Sequence, residues 1–326
     1  MAKKQLLRIQ DLSVSFTQYD AGTHQVEVPV IEKLHVDVDA NEVVAIVGAS
    51  GSGKTLLAEA IIGRYARNAH VRGVIEFRGA PADAAQLARL RGREIALVPQ
   101  SVTSLDPLMR VGEQIVGAPI GQKRGKWTGR ERTQMVARMQ ELLARYELPQ
   151  QVARMYPFEL SGGMARRAIL AAALMTSPNL IVADEPTPGM HPELAAQAMD
   201  DLRDYANQGN GVLLITHDIE LALTVADRIA VFYAGTVVEL AHRSDFDDPS
   251  RLRHPYTRAL WRALPGNGFE PLAGSQPIGR DKPPGCPFGP RCDYFIEACL
   301  GDVPPIEVRN GMVRCVNPQA YTQGAR

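Results

Sequence analysis

The sequence has no excess of either charge sign and no cysteine before Cys286. Lys and Arg together number 36, and Asp and Glu together also number 36, so the formal net charge is zero. A balanced chain offers no electrostatic reason to expect nucleic acid as its main partner. We therefore expect no nucleic-acid partner, and we interpret the mixed charges as a surface that favours solubility.

Long apolar runs are also missing. The longest run, residues 168–175, is far shorter than the roughly 20 residues that a helix needs to cross a bilayer. The basic start, residues 1–5, is not followed by the apolar segment of a secretory signal. We therefore expect a cytoplasmic chain, and any membrane-spanning part of its process must belong to other chains. Disulfides are disfavoured in that compartment, so the late cysteines need another explanation.

Short apolar runs and helical patterns alternate along the chain. The predicted strands lie within residues 5–16, 27–47, 74–78, 94–98, 180–183 and 212–215. Helices are predicted from Lys54 to about Tyr65, over much of 106–178, and at about 190–208. Strands that alternate with helices predict a mostly parallel sheet with both faces covered.

The fold class is therefore α/β, with a core domain over residues 1–240 and a helical subdomain at about 106–178. A smaller C-terminal domain is predicted over 241–326. Pro and Gly are frequent between about 264 and 305, and this composition predicts a loop-rich segment.

A glycine-rich loop follows the predicted strand that ends at Val47 and opens the next predicted helix. This is the context that a P-loop requires, because backbone N–H groups and a helix N-terminus can then bind phosphate oxygens. Lys54 is expected to reach the β- and γ-phosphates of a nucleotide, and the Thr55 hydroxyl to bind Mg²⁺. The loop residues expected at the phosphates are Gly48, Ser50, Gly51, Ser52 and Gly53. The alternative is a chance Gly/Ser-rich turn, which the strand and helix context disfavours.

Two carboxylates stand at the end of a second apolar strand. Asp184 and Glu185 follow residues 180–183, and ligands of parallel sheets bind beyond the carboxyl ends of the strands. We expect Asp184 to hold the Mg²⁺ shell and Glu185 to polarise the attacking water of phosphoryl transfer. Taken alone, such a pair could equally be a helix N-cap.

Three shorter motifs indicate a protein family. The segment Leu160–Met164 resembles the ABC signature, usually written LSGGQ. Gln100 ends a predicted strand where that family has its Q-loop, and His217 stands where it has its switch histidine. With the P-loop and the acidic strand end in the same order, residues 1–240 resemble an ABC ATPase cassette.

The resemblance implies that two cassettes sandwich two ATP molecules head to tail. Ser161, Gly162 and Gly163 would cap the γ-phosphate of the ATP bound to the partner's P-loop. His217 would contact the γ-phosphate in its own site. Gln100 would sense Mg²⁺ and transmit the closure of the two cassettes to a membrane subunit. Phe16 is the candidate for stacking on the adenine of ATP. The alternative is that its ring packs in the apolar core.

The sequence departs from the family pattern in two motifs. Met164 stands where most members have Gln, although Met is frequent in the peptide and nickel importer group. The loop after Glu185 ends in Met190-His191, where the family usually has Leu-Asp. We hypothesise a heterodimer with unequal ATP sites, in which Glu185 of this chain stays competent.

The tail resembles one group within the family. His254-Pro255-Tyr256 looks like a segment of the ATPase subunits of oligopeptide, dipeptide and nickel importers, and 156–159 also resembles that group. The resemblance implies a peripheral subunit on the cytoplasmic face of the membrane. Its partners would be two permease subunits, a second ATPase and an external binding protein. For the segment at His254, the alternative is an ordinary helix start. For the whole chain, the alternatives are an ATPase of a non-transport metabolic complex and a regulatory protein with a vestigial ATPase.

The cysteines follow the spacing C-x5-C-x6-C-x15-C at positions 286, 292, 299 and 315. Four thiolates are the usual ligand set of a 4Fe–4S cluster or of structural zinc. Similar tails in the importer group include members with a 4Fe–4S cluster, so Cys286, Cys292, Cys299 and Cys315 are expected to hold one. Zinc and uncoordinated thiols are the alternatives.

Overall fold

The computed structural model describes residues 4–20, 22–117, 128–309 and 311–317. The helices are α1 (Lys54–Ile61), α2 (Ala84–Leu90), α3 (Val111–Val116), α4 (Gly129–Arg145), α5 (Gly162–Leu174), α6 (Pro192–Asn207), α7 (Ile219–Val225) and α8 (Pro255–Arg262). The strands are β1 (Gln5–Tyr19), β2 (Gln25–Asp39), β3 (Glu42–Val47), β4 (Ala69–Phe77), β5 (Ala80–Pro81), β6 (Ile95–Val98), β7 (Leu180–Asp184), β8 (Gly211–Thr216), β9 (Arg228–Tyr233), β10 (Thr236–His242), β11 (Ile306–Val308) and β12 (Gly311–Val313). None of the helices in these ranges is both long and apolar enough to cross a bilayer.

The central sheet has the strand order β11-β12-β10-β9-β3-β8-β7-β6 within the described residues. Its pairs from β9 to β6 are parallel, while β10, β11 and β12 join antiparallel at the other edge. The prediction of a mostly parallel α/β sheet is therefore confirmed for its core.

Both faces of this sheet are covered. In β3 the side chains of Val43 and Ala45 pack among apolar residues of α4, α5 and α6. Those of Val44 and Ile46 pack on the opposite face with α1 and with strands β1 and β2. Every residue of β3 is buried, and this burial on both faces explains the continuous apolar run in its sequence.

A second, antiparallel sheet forms one of these covers. Its order is β2-β1-β4-β5, so β1 and β2 pair with each other, and β1 with β4, outside the central sheet. The segment predicted as β-rich over 27–47 is two strands, which turn at Ala40-Asn41.

The first helix is shorter than predicted. It ends at Ile61 and not near Tyr65, because Gly63 adopts a left-handed φ of 68°. The amide of Gly63 donates to Ala60 O at 3.1 Å, and that of Arg64 donates to Glu59 O at 2.9 Å. This pair of bonds is a Schellman termination, which glycine favours at that position.

The C-terminal segment contributes to the central sheet. After β10 the chain forms short 3₁₀ turns and α8, and then β12 pairs with β10. The proposed division at residue 240 therefore falls within a strand of that sheet, and it stays a prediction. Helices α3, α4 and α5 lie in the predicted helical subdomain, of which residues 118–127 are outside the described ranges.

Candidate active site

Four neighbouring strands deliver the predicted site residues to one edge of the sheet. The P-loop follows β3, and His217 follows β8. Glu185 follows β7, and Gln100 comes two residues after the end of β6. The carboxyl ends of parallel strands lie at the same edge, so motifs far apart in sequence converge there.

The P-loop lies tightly against the sheet. A Cβ added to Gly48 would come 2.4 Å from Phe232 O of β9, so a larger residue does not fit there. Gly53 has a φ of 106° and occupies the N-cap position of α1. In the described structure, the buried Ser52 hydroxyl has no hydrogen-bond partner. A polar atom of this kind fits a loop that binds an anion.

Lys54 is buried beneath this loop. Its Nζ donates to Gly48 O at 2.7 Å and to Ala49 O at 2.9 Å. Burial lowers the pKa of Lys54, and the nearby carboxylates of Glu185 and Asp184 oppose that shift. The ammonium thus lies between the loop and the two acids, where a phosphate chain would add the negative charge that stabilises it.

Three oxygen-bearing side chains fit a magnesium site. Thr55 Oγ1 donates to Gln100 Oε1 at 3.2 Å, and Asp184 lies within hydrogen-bonding reach of Thr55. Burial raises the pKa of Asp184, and its Oδ1 is buried without a hydrogen-bond partner among the described residues. Mg²⁺ takes oxygen ligands and commonly combines one or two carboxylates with substrate phosphates, so these residues suit it.

Glu185 and His217 form a close pair. His217 Nδ1 lies 2.8 and 2.9 Å from the two carboxylate oxygens of Glu185. A carboxylate only accepts, so Nδ1 donates and Nε2 remains as the ring's other nitrogen for a ligand. Glu185 is also held by its backbone, which has a φ of 49° and an N–H donating to Ile215 O at 2.8 Å. A non-glycine residue in the left-handed region carries strain, and strain of this kind is concentrated at functional sites.

Arg166 was not predicted, although it joins two of the motifs. This buried residue of α5 donates from Nη1 to Pro99 O at 3.1 Å and to Glu185 O at 3.1 Å. Burial lowers its pKa, and the carboxylates of Glu185 and Asp184 oppose the shift. The helix that follows the signature is thereby tied to the start of the Q-loop and to the backbone of Glu185.

The signature residues lie at an open helix start. Ser161 is the N-cap of α5, and its Oγ accepts from Met164 N at 3.2 Å. Gly162 is exposed, and a Cβ added there would meet no atom within 4 Å. The N–H groups of this helix start are accessible to a phosphate from outside the chain. His191 is exposed at the N-cap of α6, and its side chain makes no cap hydrogen bond.

A cavity of about 480 Å³ lies beside the P-loop, where Gly51 and Ser52 border it. Tyr19, at the tip of the β1–β2 hairpin, lines it with a side chain that is 67% exposed. Phe16, predicted to stack on adenine, lies in β1, is half-buried against the apolar core and is not part of this lining.

The tail cysteines surround one small cavity. Cys286, Cys292, Cys299 and Cys315 all line it together with His254, and its volume is about 10 Å³. None of these four cysteines forms a disulfide, and burial raises the pKa of Cys286 to about 11. Across the ranges that the structure covers, no group of three or more His, Cys, Asp or Glu side chains is arranged to hold a metal ion.

The His-Pro-Tyr segment begins α8 beside these cysteines. His254 Nδ1 accepts from Tyr256 N at 3.1 Å, and the His254 amide donates to the buried carboxylate of Glu239 at 2.8 Å. Tyr256 packs against Tyr233 of β9, with ring centroids 4.4 Å apart. The segment therefore anchors the tail to the central sheet, which is a structural role for a helix start.

Comparison with protein families gives two matches in chain order. Residues 31–188 match the family described as "ABC transporter", and residues 238–299 match "Oligopeptide/dipeptide transporter, C-terminal region".

Curated relatives extend the likeness to nearly the whole chain. The oligopeptide transport ATP-binding protein OppD of Escherichia coli (strain K12) is 34% identical over 325 residues, covering 96% of this chain and 93% of that protein. OppD of Mycobacterium tuberculosis (strain H37Rv) is 36% identical over 315 residues, covering 92% of this chain and 50% of that protein. Among solved structures, a dimeric ATP-binding cassette in a post-hydrolysis state, bound to ADP and Pi, matches with a TM-score of 0.62. It is 27% identical in sequence, and the match covers 73% of this chain and 99% of that one.

Proposed function

The chain belongs to the ATP-binding subunits of ABC transporters, in the oligopeptide and dipeptide importer group, and from this premise we propose that it binds and hydrolyses ATP to power peptide import. The observation that carries the proposal is the convergence of Lys54, Asp184, Glu185 and His217 at one edge of the sheet. Catalysis of phosphoryl transfer rests mainly on positioning and on neutralising charge, and these groups supply both.

Each residue has a role in the proposed reaction. The P-loop amides and Lys54 hold the phosphates, and Glu185 accepts a hydrogen bond from the attacking water. Nδ1 of His217 stays on Glu185, so Nε2 is available to the γ-phosphate. Thr55, Gln100 and Asp184 would hold Mg²⁺, which supplies positive charge to the β- and γ-phosphates when bound.

We propose that a second ATPase subunit completes the site. The accessible N-terminus of α5, with Ser161, Gly162 and Gly163, suits the γ-phosphate of a nucleotide held by that partner. His191 replaces the Asp that usually supports the opposite site, so the two sites would be unequal. Two permease subunits and an external binding protein would complete the importer, with this chain on the cytoplasmic face of the membrane.

The base is proposed to lie in the cavity that Tyr19 lines. This aromatic ring is exposed at a cavity bordered by Gly51 and Ser52, whereas Phe16 packs against the core. Stacking on a base needs an accessible aromatic face, which favours Tyr19 over Phe16.

We also propose that the four tail cysteines hold a 4Fe–4S cluster. Their thiols line a common cavity, and four cysteines are the usual ligands of such a cluster. The donor set suits the group, although the cavity of about 10 Å³ has room for only about one water and the described side chains are not arranged around a metal ion, so the four thiols would have to move apart to hold a cluster. A bound cluster would join four parts of the loop-rich tail.

Recovery of the tagged chain from its native membranes tests the proposed role in import and the proposed cluster. We expect it to be recovered with two multi-span proteins, a second ATPase, and iron and acid-labile sulfide in equal amounts. Recovery with soluble enzymes alone would contradict transport and favour an ATPase of a metabolic complex. Zinc, or no metal after anaerobic purification, would contradict the cluster and leave the ATPase proposal standing.

A further inference from the structure

A short segment of the tail, residues 276–282, crosses the molecule beside the P-loop; we name it the strap. Gln276 connects it to two elements of the core. Its Oε1 accepts from Ala234 N at 3.3 Å in the β9–β10 turn, and its Nε2 donates to Ser50 O of the P-loop at 3.4 Å. A residue of the tail therefore touches the phosphate-binding loop directly.

The other end of the strap is fixed to the β1–β2 hairpin. Arg280 Nη1 lies 3.2 Å from Asp20 Oδ2. Lys282 Nζ donates to Glu32 Oε2 at 2.6 Å and to Val30 O at 3.2 Å. Because both cations are paired with carboxylates of the hairpin, their charges hold the strap in place and are not free to bind phosphate.

Between these anchors the strap forms one wall of the 480 Å³ cavity beside the P-loop. Pro277 and Ile278 line this wall, and the Ile278 side chain is 61% exposed. Tyr19 and Val28 of the hairpin also line the cavity. Two of the exposed large apolar side chains, Ile278 and Tyr19, thus border a single cavity that also reaches the P-loop. Apolar and aromatic surface with a few polar groups is the usual lining of a site for a flat organic ligand.

We propose that the strap is part of the nucleotide site, and that Ile278 packs against the nucleoside of the ATP whose phosphates bind the P-loop of the same chain. This inference rests on the proposed ATPase function. Arg280, Asp281 and Lys282 of the strap also line the cavity, but Arg280 and Lys282 are paired with the carboxylates of Asp20 and Glu32. The apolar side chain of Ile278 therefore suits the nucleoside and not the phosphates. A segment about 220 residues after the P-loop in sequence thereby contributes to nucleotide affinity.

Calorimetric titration of the full chain with ADP and with inorganic tripolyphosphate separates these contributions. Ile278→Ala is expected to weaken ADP binding by about tenfold, because an apolar contact with the ligand is lost. Tripolyphosphate has no nucleoside, so its binding is expected to stay within twofold of the unmodified chain. The matched control is Ile306→Ala, which truncates another exposed isoleucine, in β11 and outside the cavity. Tyr19→Ala is expected to show the same selective loss as Ile278→Ala.

Three other outcomes would overturn either the role of the strap or the proposed function. If Ile278→Ala binds ADP as tightly as the unmodified chain while Lys54→Ala does not, the strap has no role and the ATPase proposal stands. Equal weakening of ADP and tripolyphosphate would place the effect in the P-loop and overturn the nucleoside contact. If the unmodified chain binds neither ligand, the proposed function itself is wrong.

Discussion

Glu185→Gln is expected to lower ATP hydrolysis by the purified complex by roughly 10²–10³-fold while ATP binding is retained. The amide has nearly the same shape and still accepts from His217 Nδ1, but it no longer carries the charge that polarises water. The backbone of Glu185 is held by Ile215 and Arg166 and not through its carboxylate, so the local fold should be kept. The measurement is phosphate release at saturating ATP, together with the ATP that stays bound after rapid gel filtration.

The matched control is Glu141→Gln, on the exposed face of α4, and it should leave turnover unchanged. A Glu185→Gln complex that hydrolyses ATP at the normal rate would remove Glu185 from catalysis. A complex that neither turns over nor retains ATP would favour a regulatory protein with a vestigial ATPase, an alternative for which His191 is the best support in the sequence.

Lys54→Ala is expected to weaken nucleotide binding by about 100-fold. Two charge-assisted hydrogen bonds to phosphate, each contributing about 1.5 kcal/mol or more, account for a loss of that order. The measurement is titration with ADP, and a thermal melt must accompany it because Lys54 Nζ also binds the carbonyls of Gly48 and Ala49.

Lys33→Ala is the matched control for Lys54→Ala. This lysine is exposed, and its ion pair with Asp302 at 2.8 Å lies on the surface, so little change is expected. If Lys54→Ala binds ADP as tightly as the unmodified chain and melts at the same temperature, the loop does not bind phosphate in the way proposed.

The parts of the site that could be predicted from sequence are those carried by contiguous residues. The P-loop and the Asp184-Glu185 pair each follow an apolar strand, and the parallel order of those strands brings them together. The contact between Glu185 and His217 follows from the same rule, since β7 and β8 are neighbours. Residues at strand ends are therefore predictable as a group, because sheet topology determines where they meet.

The missed parts depend on contacts between distant segments. Arg166 looks like a surface charge in the sequence, because nothing local indicates that its guanidinium is buried against Pro99 and Glu185. The strap was expected to be only loop, and its contact with the P-loop has no sequence signal. The early end of α1 did have one, since Gly63 is a residue that commonly ends a helix.

The most direct test of peptide import is uptake of a labelled oligopeptide into proteoliposomes that contain the complete complex, with the binding protein outside and MgATP inside. We expect uptake that requires ATP and is abolished when this chain carries Glu185→Gln. ATP hydrolysis at a normal rate with no peptide uptake, under conditions where the binding protein holds its peptide, would contradict the proposed function.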